Sequence, residues 1–144
     1  MPLPLAPDAP AFPFAQLLAD AVFADGIGQM PQLPFHHAVA RMDPAWLDAP
    51  AANGARLAAT IADLWRAMGH EPTGAYQPAP YNLLATRDWL WLVARRHAGW
   101  DGLPVNALGY AGALIARDQD AFERLQAAGP MRLLTDCAIA ASAP

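Results

Sequence analysis

The sequence predicts an α+β fold in which an antiparallel β-meander is flanked by helices. Three observations carry this. Segments 81–86 and 89–95 are rich in strand formers, and the joint between them, Arg87-Asp88, is short enough for a hairpin. Apolar residues at helical spacing precede them, and helix-start residues, Asp118 and Pro130, follow them. Strands grouped between helices, rather than alternating with them, argue α+β.

In chain order, residues 1–13 are proline-rich and read as extended. A helix is expected over 14–24, with Phe14, Leu17, Leu18, Ala21 and Val22 on one stripe and Asp25-Gly26 as the stop. Residues 27–35 read as loop, and 36–41 are too short to assign. Pro44 opens a first helical turn to Pro50. Asn53 is the expected N-cap of a long helix ending at Gly69, with Leu57, Ile61, Leu64, Trp65 and Met68 as its apolar stripe. Residues 70–80 read as loop and 100–104 as a turn. Residues 105–116 read as a strand broken by Gly109 and Gly112. Asp118 caps a helix to Ala128 with Phe122 and Leu125 inward. Gly129-Pro130 stops it and starts another, whose inner side holds Met131, Leu134 and Ala138. The Ala/Ser/Pro tail reads as frayed. The chain is thus one domain over 1–144: mainly helix and loop to 80, meander over 81–117, and helix over 118–141.

A chain of 144 residues, 55% of them hydrophobic, can bury a sizeable core and is not disordered. Only 15% are charged, against about 25% in a typical domain, so part of the surface is expected to be covered by a partner or by missing chain. All nine basic residues are Arg and the net charge is −4. That argues against a nucleic-acid binder, while leaving room for one anion held by clustered Arg. Without Lys there is no Schiff base and no P-loop Lys. A single Cys, Cys137, forms no internal disulfide, so a reducing, cytoplasmic compartment is expected. No membrane span or targeting signal is visible.

With Arg87-Asp88 as the loop, Leu84 sits opposite Trp91 and Asn82 opposite Val93. One face is then wholly apolar: Leu83, Ala85, Leu90, Leu92 and Ala94. The other mixes Asn82, Leu84, Thr86, Trp89, Trp91, Val93 and Arg95. Such a face suits a nucleotide, with aromatics for the base, Asn and Thr for polar edges and Arg for phosphate. By itself the pattern favours the plainer alternative, a helix laid over this face with Trp as core and Arg95 reaching water. The histidines, His36, His37, His70 and His97, lack metal-ligand spacing and read as packed or surface groups. Cys137 reads as a small buried hydrophobe, Arg95-Arg96-His97 as a solvated strand end with an anion site as the alternative, and Gly109 and Gly112 as sites of a bulge or close backbone approach. The only Ser, Ser142, lies in the tail, which excludes a Ser triad.

The run Tyr81-Asn82-Leu83-Leu84-Ala85-Thr86-Arg87-Asp88-Trp89-Leu90, continuing to Arg95, resembles the C-terminal domain of ATP adenylyltransferases, also called diadenosine tetraphosphate phosphorylases. There a Tyr-Asn-Leu-Leu-x-Thr-x-x-Trp segment runs into Val-Pro-Arg; Ala94 replaces the Pro. Val105 to Gly112 is similar to the family's Val-Asn-Ala-Leu-Gly-Phe-Ala-Gly, with Tyr110 for Phe. Gly129-Pro130-Met131 and Leu33-Pro34-Phe35-x-His37 also resemble family segments.

The resemblance implies a histidine-triad-like fold and phosphorolysis of dinucleoside polyphosphates through a nucleotidyl-histidine. The family nucleophile lies in a His-x-His-x-Gln segment leading into Pro-Leu-Pro. Pro2-Leu3-Pro4 follows Met1 directly, so the expectation is a chain that starts just after that nucleophile, with no catalytic residue of its own, no metal and no cofactor. Nucleotide contacts are expected from Asn82, Thr86, Trp91, Arg95 and Asn106. Expected partners are ATP, ADP or a diadenosine polyphosphate, and a second copy or a separately encoded N-terminal half; nucleic acid and membrane are not expected. The rival expectation is a non-catalytic association module or a fragment of a split or truncated enzyme.

Overall fold

The computed structural model describes residues 14–73 and 77–141, with the side chains of 14–16 left aside. The expectations for 1–13, for Phe14 in its stripe, for 74–76 of the loop and for the tail at 142–144 lie outside the described residues. An antiparallel sheet of five strands, in the order β1-β2-β3-β5-β4, lies at the centre. Its strands are β1 (Val22–Ala24), β2 (Ile27–Gln29), β3 (His37–Arg41), β4 (Tyr81–Ala85) and β5 (Trp89–Ala94).

The β4–β5 hairpin has the expected register, with Asn82 opposite Val93 and Leu84 opposite Trp91. Thr86 closes the turn: its backbone N–H donates to Trp89 O, and its Oγ1 accepts from the N–H groups of Asp88 and Trp89. β3 runs on the far side of β5, Val39 opposite Trp91, which makes β5 a central strand. Strand formers therefore meet neighbours on both edges.

Three elements differ from expectation. The predicted helix over 14–24 is α1 (Phe14–Ala19) followed by β1. Asp25-Gly26 does not stop a helix. It is the two-residue loop of a β1–β2 hairpin, with φ of 51° and 83°, and Ala24 stands opposite Ile27. Positive φ at both central residues is what a type I′ turn requires, and Asp-Gly supplies it. Residues 22–29 thus hold two strands where helix and loop were expected, and the unassigned 36–41 holds a third. The third difference is 105–116, which is not a strand. Asn106 Oδ1 accepts from the N–H groups of Leu108 and Gly109 and caps a short helix, α4 (Ala107–Tyr110). Gly109 does serve close approach, since a Cβ there would lie 2.9 Å from Leu114 Cδ2. Before α4, a second Asp-Gly turn, Asp101-Gly102, joins β6 (Gly99–Trp100) to β7 (Leu103–Pro104).

Helices cover both faces of the sheet. α2 (Ala45–Asp48) leads into α3 (Pro50–Ala67), which starts on Pro50 at its first turn rather than on Asn53. Asn53 lies inside the helix and donates to the carbonyls of Trp46 and Ala49. Gly69, at φ 77°, follows its end as expected. The predicted stripe packs on the sheet: Leu64, Trp65 and Met68 are buried against Leu90, Leu92 and Ala94. The opposite face carries the larger core, where Val39, Trp91 and Val93 meet Phe35, Tyr110, Leu133 and Leu134. α5 (Gln119–Ala128), capped by Asp118 through Ala121 N–H, and α6 (Pro130–Cys137) close this side. Leu134 and Ala138 face inward as expected, but Met131 is exposed and Leu133 takes the buried place.

Beyond His37 and Val93 the two central strands part, and residues 138–141 enter between them. Ala140 bridges Phe35 and Ala138 bridges Arg95. His36 N–H donates to Ile139 O, and Ile139 N–H to Ala94 O.

Candidate functional site

Alternation along β4 and β5 sets Asn82, Trp91, Val93 and Arg95 on one face, the face of the larger core. Arg95 continues the hairpin register, its N–H donating to Pro80 O. It is therefore a diagonal neighbour of Asn82, about 7–8 Å away between backbones. Asn82 is 6% exposed, and its Nδ2 has no hydrogen-bond partner among the described residues. Arg95 is half-buried, with no carboxylate within 4.0 Å among those residues. Its guanidinium is close enough to Tyr110 and Cys137 to oppose the upward pKa shifts that burial imposes on both. A buried amide donor and a free cation thus share one face. That pair can donate to phosphate or hydroxyl oxygens.

The other predicted contacts sit elsewhere. Thr86 is four residues along β4 from Asn82, roughly 13 Å at strand rise, at the exposed tip where its Oγ1 holds the turn. Asn106 is exposed and spends its Oδ1 on the cap of α4. Trp91 is fully buried, stacked on Phe35 at 6.5 Å and edge-on to Tyr110 at 6.3 Å. A base has no access to that ring in this structure. The helix-covered reading describes its side of the face. Tyr110, whose OH donates to Leu134 O, is carried into the core by α4, an element whose sequence signal is the Asn106 cap.

His37 is buried beside this core. Its Nε2 accepts from Met30 N–H at 2.9 Å, and its Nδ1 donates to Phe35 O at 2.8 Å. Both nitrogens are engaged, and burial holds its pKa below the usual histidine range. His36 donates from Nε2 to Met68 O. Cys137 is buried and its thiol is pushed up by burial, as fits a packed hydrophobe. No group of three metal-ligating side chains occurs among the described residues. No helix among them is long and apolar enough to cross a membrane.

An antiparallel sheet covered by helices on both faces, with polar groups where its central hairpin ends, is the architecture of histidine-triad-like domains. Residues 31–140 match the ATP adenylyltransferase C-terminal domain, and the chain belongs to that family. Crystal structures of yeast Ap4A phosphorylase Apa2 share the fold. The protein alone has a TM-score of 0.60 at 21% identity, and its complex with Ap4A 0.62 at 23%. The complex with AMP has 0.55 at 21%. Each match covers 85% of this chain but only 42%, 40% and 42% of the matched chains. The chain therefore spans about two-fifths of the length of those proteins. No curated protein sequence matches.

Proposed function

We propose that this chain is a nucleotide-binding portion of an Ap4A phosphorylase-like nucleotidyltransferase, acting in the cytoplasm. The observation that carries the proposal is the pairing of the orphan amide of Asn82 with the uncompensated Arg95 on one face, within a family match over 31–140. An unpaired buried donor is worth about 1–3 kcal/mol to whatever satisfies it. A phosphate or ribose oxygen bonded by the half-buried Arg95 answers the cation, and one carried inward as far as Asn82 Nδ2 answers the amide. Thr86 and Asn106 contribute at the rim, and Trp91 contributes by holding the hairpin from behind.

The chain holds no His-x-His-x-Gln segment, so we assign it binding and not the nucleophile. Calorimetric titration with ATP, ADP and Ap4A tests this. The expected result is weak binding that Arg95→Ala and Asn82→Ala each reduce about tenfold, as for loss of a charge-assisted or buried hydrogen bond. Binding untouched by both substitutions overturns the site. Phosphorolysis of Ap4A by the purified chain, lost on changing one of its own histidines, overturns the assignment of the chemistry elsewhere.

A second reading, an association module joined to a second copy or to a separately encoded N-terminal half, is favoured by β4. It is an outer strand, and Tyr81-Asn82-Leu83-Leu84-Ala85 carries no charge or Pro to guard its edge.

A further inference from the structure

A concavity not lined by Asn82 or Arg95 lies beside the end of the hairpin. It is an open cleft of about 480 Å³ between β6, α6 and residues 138–140. Arg96, His97, Trp100, Asp101, Thr135 and Asp136 line it. The volume is that of a small-molecule site.

Its electrostatics are lopsided. Both carboxylates on its wall are engaged by cations that do not line the cleft. Arg124 Nε stands 2.7 Å from Asp101, and Arg132 Nε 3.7 Å from Asp136. Asp136 also accepts from Trp100 Nε1 at 3.1 Å, which fixes the indole against the wall. Arg96 has no carboxylate within 4.0 Å among the described residues. The backbone beneath it is pinned, because the N–H groups of Arg96 and His97 both donate to Cys137 O, at 2.8 and 3.1 Å. With both wall carboxylates paired, Arg96 is the lining cation that no carboxylate among the described residues answers, and it stands beside a half-buried aromatic ring.

We propose that this cleft binds the phosphate group of a small phosphorylated ligand, with Arg96 as the charge-assisted donor, His97 as a second donor and Trp100 as the surface for any ring the ligand carries. The ligand is either free phosphate or a phosphate ester on a planar ring, and the recognition chemistry is the same for both. The proposal does not depend on the Asn82–Arg95 reading, since none of those residues lines the cleft.

The test is an NMR titration of the ¹⁵N-labelled chain with inorganic phosphate and, separately, with adenosine 5′-monophosphate. The Trp100 indole N–H and the Arg96 and His97 amides are followed. Both probes are expected to shift these signals, and Arg96→Ala to weaken each about tenfold. Tighter binding of the monophosphate, lost in Trp100→Leu, assigns the ring to Trp100; equal binding assigns the site to phosphate alone. Both outcomes support the anion site. Arg96 is exposed, so its replacement leaves the core intact, and Arg96→Gln repeats the measurement with the side-chain length nearly kept. Absence of shifts at millimolar ligand overturns the proposal, as do shifts unchanged by both substitutions. Shifts confined to Asn82 and Arg95 also overturn it, while leaving the nucleotide reading in place.

Discussion

His37 is held neutral by its surroundings. One ring nitrogen accepts from Met30 N–H while the other donates to Phe35 O, and Phe35 and Trp91 press edge-on at 5.8 and 6.3 Å. A proton on Nε2 would turn that acceptor into a donor facing a donor, beside His36, whose charge acts in the same direction. In the unfolded chain the imidazole takes up its proton near pH 6.5. Below that pH the unfolded state binds more protons than the folded one, so stability is fully present above about 6.5 and declines as pH falls. Denaturant unfolding at pH 8 and pH 5.5 should show this loss. His37→Leu should flatten the pH dependence and lower stability at pH 8 by about 1–3 kcal/mol, because Met30 N–H is left unpaired. Asn82 predicts the reverse trade. Asn82→Leu removes a buried amide with an unsatisfied donor, so thermal unfolding should be unchanged or shifted upward while nucleotide affinity falls.

The β4–β5 hairpin was readable because its loop is two residues long and its side chains alternate cleanly; a register follows from those facts alone. The Asp118 cap and Gly129 stop of α5, the Gly69 end of α3 and the Pro130 start of α6 were readable for the same kind of reason, a local signal with a single structural meaning. The β1–β2 hairpin was not, because Asp-Gly after an apolar run ends a helix as well as it turns a hairpin, and three-residue strands carry too little periodicity to decide. The cap that Asn106 makes on α4 is not legible in the sequence alone, since nothing there separates a capping Asn from a binding one. Trp91 was placed on the correct face, but whether a helix or a ligand covers that face is decided by α4 and α6, far along the chain. The turns offer a direct check. Gly26→Val and Gly102→Val force a β-branched residue to φ of 83° and 77°, and each should lower stability by about 1–3 kcal/mol in thermal unfolding, whereas Asp25→Asn and Asp101→Asn should be near neutral.

Stability of the assembled domain rests on two cores separated by one sheet. Trp65 is fully buried beneath the sheet and its indole N–H donates to Gln77 Oε1 at 2.6 Å. Trp65→Ala should cost about 3–5 kcal/mol, detaching α3 from β3 and β5 and lowering the denaturation midpoint sharply. The outer edge of β4, which pairs with no further strand among the described residues, carries a different expectation. Light scattering after size exclusion should show mass rising with protein concentration, and Ala85→Lys, which puts a charge on that edge, should return the chain to monomer.

The insertion of residues 138–141 between Phe35 and Arg95 has a consequence for synthesis. Phe35 and Ala140, which pair across that gap, are more than a hundred positions apart. On the ribosome β3, β4 and β5 are all out once Ala94 has emerged, but the residues that seal their far end follow about 45 codons after Arg95, roughly 2–9 s at 5–20 residues per second. During that interval the carbonyl of Ala94 and the N–H of His36 have no partner from 138–141, and Phe35 lacks its cover. The nascent sheet is thus open at the end beside Arg95, and a message broken upstream of codon 138 yields a product that stays open there.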